Sequence, residues 1–85
     1  MLLSDATQRA YLASRRETLL ALQVATYHKG VTARNQAADL AHSRACPREV
    51  ERLRQVAIEA QARCDQITRA IRAIDAELAG RVEGH

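Results

Sequence analysis

The sequence predicts an all-α protein, an antiparallel two-helix hairpin of coiled-coil character, and three observations carry that prediction. The chain of 85 residues holds 17 Ala but only one Pro and three Gly, which favours helix because Ala has the best helix propensity and Pro and Gly the worst. A strict apolar heptad runs through the second half. The lone Pro47 splits the chain into two stretches of similar length. A chain this short makes one domain, residues 1–85, with a thin core. Large apolar side chains are few, Phe and Trp are absent, and only Tyr11 and Tyr27 are aromatic.

The first helix is expected over residues 5–42. Ser4 suits its cap and Asp5 its first turn, where a carboxylate meets the positive end of the helix dipole. Leu3, Ala6, Ala10, Ala13, Leu20, Val24, Tyr27 and Val31 share one face, interrupted by Glu17, and Leu12, Leu19 and Leu22 form a second apolar stripe beside it. Gly30 leaves two courses open. The helix ends there and Thr32 caps a short third helix over 33–43, or the helix runs through at a cost of about 1 kcal/mol. Matched helix lengths favour the continuous course, with residues 43–46 as the loop of a helix hairpin.

The second helix is expected over residues 47–79. Pro47 fits the first helical position, where its missing N–H costs nothing, and Glu49 and Glu51 fall in the first turn. With Val50 as position a, the a/d series reads Val50, Leu53, Ala57, Ala60, Cys64, Ile67, Ile71, Ile74 and Leu78. Each member is apolar or small, the pattern of a left-handed coiled-coil seam. Gly80 and Gly84 are the expected terminators. Glu59/Arg63, Asp65/Arg69 and Glu77/Arg81 are spaced for ion pairs with the acid first, each worth tenths of a kcal/mol. In an antiparallel hairpin Leu3, Ala6, Ala10 and Ala13 would face Leu78, Ile74, Ile71 and Ile67, and Ala38 and Ala41 would face Val50 and Leu53.

Two helices leave apolar groups uncovered. Leu12, Leu19 and Leu22 lie off the expected first seam, and Val56 and Ile58 flank the second. Contiguous exposed apolar surface marks interaction sites, so these five residues are the expected partner interface. A protein partner or a second copy would supply the missing layer and complete a bundle. A break at Gly30, folding the chain into three helices, would instead bury them internally.

The formal charge is +3, with 12 Arg and one Lys against 10 acids. The excess lies in the first half, and the second half alternates Arg with acids as a solvated helix surface does. Arg34, Arg44, Arg48 and Arg52 are the expected phosphate contacts in a rival reading, a small DNA-binding regulator. Two tyrosines are too few for a single-strand stacking platform. Gly30-Val31-Thr32 has the flavour of the turn before a recognition helix, although the long heptad seam that follows is foreign to that motif.

Catalytic and metal chemistry find little support. His28, His42 and His85 lack zinc-ligand spacing, and Cys46 and Cys64 stand eighteen residues apart with no second cysteine near either, so no metal or cofactor is expected. Cys46 precedes Pro47 at a helix N-terminus, with His42 one turn before it, the one pair that hints at a thiolate; a packing role accounts for it more simply. No 18-residue apolar run exists, so no membrane span is expected. The N-terminus lacks the pattern of a secretory signal, and reduced thiols fit the cytoplasm.

In outline the chain resembles the small co-chaperones of type III secretion: an Ala/Leu-rich helix, a second helix started by Pro47, and exposed apolar stripes. The resemblance spans residues 7–79, rests on helix lengths and the position of Pro47, and carries no site residues over. In that family such a hairpin holds a needle subunit together with another chaperone. Phage structural and assembly adaptors share the outline. The expected function is therefore a non-enzymatic helical interaction module, an adaptor, co-chaperone or assembly protein. Its rivals are the DNA-binding regulator and a purely structural homodimeric four-helix bundle.

Overall fold

A computed structural model describes residues 4–44 and 46–83, without the side chains of residues 81–83. Leu3, expected opposite Leu78, and Gly84, expected as a terminator, lie outside the described residues. Helix α1 spans Asp5–His42 and helix α2 spans Pro47–Glu83, and the two pack along their length as a hairpin.

The helix ends follow from local chemistry. Ser4 caps α1: its Oγ accepts a hydrogen bond from the Thr7 amide at 3.1 Å and its carbonyl accepts from the Gln8 amide at 2.9 Å. These contacts satisfy donors that the first turn would leave open. At the other end the Ser43 amide donates to the Asp39 carbonyl and the Arg44 amide to the Ala41 carbonyl. Arg44 closes the helix with a φ of 58°, the left-handed conformation that glycine occupies most cheaply. Replacing it is expected to help. Arg44→Gly should raise stability by about 0.5 kcal/mol, the strain relieved outweighing the added freedom of the unfolded chain, read as a higher urea midpoint.

Cys46 begins α2, its carbonyl accepting from the Glu49 and Val50 amides at 3.1 and 3.2 Å, and Pro47 takes the first helical position as expected. The Arg52 guanidinium donates to both Glu49 carboxylate oxygens, with Nε at 2.9 Å. That contact holds the Glu49 carboxyl below its ordinary value.

The α2 seam is the one the heptad spells out. Val50, Leu53, Ala60, Cys64, Ile67, Ile71 and Ile74 are buried, and Ala57 and Leu78 are half-buried. Helix α2 does not stop at residue 79. It passes through Gly80 to Glu83. A Cβ on Gly80 would meet nothing within 4 Å, so Gly80 neither turns the chain nor admits a neighbour. Of the expected ion pairs, Asp65 instead accepts from Gln61 Nε2 at 3.1 Å, and the Arg81 side chain lies outside the described residues.

Helix α1 differs from expectation in the face it turns inward. It runs unbroken through Gly30, but the series Ala6, Ala10, Ala13, Leu20, Val24, Tyr27 and Val31 does not form the seam. Ala6, Ala10, Ala13, Val24 and Tyr27 are exposed, and Leu20 and Val31 are half-buried. The inward row lies one residue earlier in phase: Leu12, Arg16, Leu19, Gln23, Thr26, Gly30, Ala33, Ala37 and Leu40. Thr26, Gly30, Ala33 and Ala37 are buried and the others half-buried. Ala37 and Leu40, rather than Ala38 and Ala41, therefore pack with Val50 and Leu53.

Close approach explains why this row wins. A Cβ built on Gly30 would sit 3.1 Å from the Ala60 Cβ, so the helix backbones meet where both sides are small. Turning Tyr27 and Val31 inward would wedge the helices apart at Ala57 and Ala60. Polar members of the row find partners across it. The Arg16 guanidinium donates to Asp75 Oδ1 at 2.6 Å, Gln23 Nε2 donates to Thr68 Oγ1 at 2.6 Å, and Thr68 Oγ1 donates to the Cys64 carbonyl at 2.9 Å. Continuing this register sets Leu12 level with Leu78, Leu19 with Ile71 and Ala37 with Leu53.

Candidate protein-docking face

Turning the polar, small-residue row of α1 inward leaves its more apolar stripe outside. With the seam as heptad positions a and d, that stripe occupies b and e: Leu20, Val24, Tyr27 and Val31, extended by Ala10 and Ala13 before them and Ala38 and Ala41 after. Adjacent heptad positions differ by about 100° on a helix, so the stripe points nearly at right angles to the line joining the two helices. It looks out from one flat face of the hairpin. Val24 is 55% exposed and Tyr27 57%.

On the same flat face α2 contributes Ile58, 60% exposed. Ile58 shares a shallow groove with Arg34, Ala38 and Arg54. A neighbouring cleft joins Tyr27 and Val31 to Gln61. Among the described residues the α2 side of this face is otherwise polar. Glu17 and Arg34 are the two charged interruptions of the α1 stripe. Both are exposed, and neither has an ion-pair partner among the described residues.

The five expected interface residues do not gather on one surface. Leu12 and Leu19 are half-buried in the row that faces α2. Leu22, 39% exposed, and half-buried Val56 line an open groove on the opposite flat face, together with Lys29, Glu59 and Arg63. Val56 also packs against the core of Ala33, Ala37, Val50 and Leu53. Ile58 alone joins the α1 stripe. Leu20, Val24, Tyr27 and Val31 form a recognisable stripe in the sequence, whose spacing alone predicts core. The signal that places them outside is the small run Gly30, Ala33 and Ala37, which matches Ala57 and Ala60 in size.

The four arginines of the DNA-binding alternative are also spread. Arg34 borders the groove with Ile58. Arg52 lies on the other face, beside Gln36 and Asp39, with its guanidinium held by Glu49. Arg44 sits in the loop and Arg48 in the first turn of α2, both exposed.

Cys46 and Cys64 are both free, the first exposed and the second buried. The Cys64 thiol points at the Gln23 carbonyl at 3.7 Å, a packing contact across the seam. His28 meets the Tyr27 ring edge-on, with centroids 6.0 Å apart. Among the described residues no group of three or more His, Cys, Asp or Glu could hold a metal ion, and no helix is long and apolar enough to cross a membrane. No protein-family model matches the chain, and no curated protein or solved structure is significantly similar to it.

Proposed function

We propose that this protein is a non-enzymatic helical interaction module, acting as an adaptor, co-chaperone or assembly protein, and that it docks protein on the flat face carrying the α1 stripe. The observation that supports this reading is the exposure of Val24, Tyr27 and Ile58 on one side of a hairpin that already has a complete seam. Apolar side chains gathered on one exposed face mark protein-binding surfaces, and Tyr is among the residues enriched there. A covering layer would turn the two-helix hairpin into a bundle. In this reading the protein is cytoplasmic, in keeping with two free thiols.

Site-specific photo-crosslinking in the source cell tests the proposal. A benzophenone side chain at Tyr27 should yield protein adducts, whereas the same group at exposed Asn35, on the α1 surface facing away from α2, should yield few. Equal yields from the two positions, or none from Tyr27, would overturn the docking face.

A further inference from the structure

The docking face has a pattern that identifies what covers it. Its two charged interruptions, Glu17 and Arg34, stand equally far from the midpoint between Ala25 and Thr26. The remaining stripe positions are arranged about the same midpoint. Val24 mirrors Tyr27 and Leu20 mirrors Val31, so the large groups form the centre. Ala13 mirrors Ala38 and Ala10 mirrors Ala41, so small groups form both ends. We infer that the occupant is a second copy of this chain, with the two α1 helices crossing antiparallel about a two-fold axis at that midpoint. The inference rests on the reading that this face docks protein, and it names the partner.

The pairing is isologous, the form in which one patch serves both subunits. Each Glu17 meets the partner's Arg34, and each Arg34 meets the partner's Glu17, so both charges left without an ion pair in the hairpin gain one. Between them, Leu20 meets Val31 and Val24 meets Tyr27 in four apolar layers. At the ends Ala meets Ala, which lets the backbones approach. The layers alternate positions b and e as the intramolecular seam alternates a and d.

Other arrangements waste this pattern. A parallel pair would set Glu17 against Glu17 and Arg34 against Arg34, and like charges across an interface are costly. Laying the stripe on α2 of the second copy would set Val24 and Tyr27 against a face that carries Arg54, Gln61, Asp65 and Arg72, with Ile58 as its one large apolar group among the described residues. A polar pair inside an apolar stripe sets register and orientation in coiled coils, and Glu17 with Arg34 supplies it here.

Solution mass of the full chain by light scattering, with helicity by circular dichroism on the same samples, tests the pairing through charge exchange. The wild type should be a dimer over a range of roughly 5 to 200 μM. Glu17→Arg and Arg34→Glu should each weaken the dimer by about tenfold or more, because each places like charges together twice per dimer. The double variant should restore it to within about threefold of wild type, since the pairs re-form with their signs reversed. Both positions are exposed in the hairpin, so helicity should hold, and a loss caused by misfolding would not be restored by adding the second change. A wild-type monomer throughout would overturn the self-pairing while leaving the docking face to the crosslinking result, where adducts of other than doubled mass would name a foreign partner. A dimer indifferent to the single exchanges would also overturn it, by placing the contact elsewhere.

Discussion

Gly30→Leu is expected to destabilise the hairpin by about 2 kcal/mol, even though leucine is the better helix former by most of a kcal/mol. The cost comes from a site where the two helices approach closely. A Cβ alone at Gly30 would lie 3.1 Å from the Ala60 Cβ and 3.8 Å from the Ala57 carbonyl oxygen. Neither atom is the end of a flexible side chain that can swing aside, so the added leucine must push the helix axes apart. That movement loosens the neighbouring layers of Ala33 and Ala37 against Leu53. Gly80→Leu is the matched control, the same change in a helix where a Cβ meets nothing within 4 Å. It should leave stability unchanged or raise it slightly. Urea unfolding followed by circular dichroism reads both. Equal effects at the two glycines would mean that close approach does not govern the register of α1.

This distinction also marks what the sequence shows and what it hides. Helix α2 is legible because its inward positions are apolar or small without exception, from Val50 to Leu78, and periodicity is the signal that burial leaves behind. The loop is legible from Pro47, and the start of α1 from Ser4. The inward face of α1 is not, because two stripes compete one residue apart and the more apolar of them loses. Arg16, Gln23, Thr26 and Gly30 look like surface or breaker residues when read alone. They turn toward the seam only because α2 supplies Asp75 and Thr68 as hydrogen-bond partners and the small Ala57 and Ala60 as room. Pairwise complementarity of that kind has no period within one helix. The same cause hides the candidate site: with Leu20, Val24, Tyr27 and Val31 placed inward by their spacing, Leu12 and Leu19 look surplus. Gly30 and Gly80 show the converse, since both resemble helix terminators and neither ends a helix.

Ile71→Ala is expected to cost about 3 kcal/mol, a large part of the stability available to a domain of this size. Ile71 is 7% exposed in the thick end of the seam, level with Leu19, and the small Ala70 and Ala73 beside it have no side chain long enough to fill the space it would leave. Ile58→Ala makes the same chemical change on the same helix at a residue 60% exposed, and its effect on the isolated hairpin should stay within about 0.5 kcal/mol. Propensity cancels between the two variants, so their difference reports burial. Concentration then separates the hairpin from its assembly. Anything that binds the folded state alone adds stability by mass action, and Ile58 shares its face with the α1 stripe. The two-fold that stacks the α1 helices also turns the α2 helices of the two copies toward each other, so the penalty of Ile58→Ala should be absent at low protein concentration and emerge as the dimer forms, while that of Ile71→Ala is present throughout. A penalty at Ile58 that is large and independent of concentration would place that side chain inside the hairpin and remove it from the docking face.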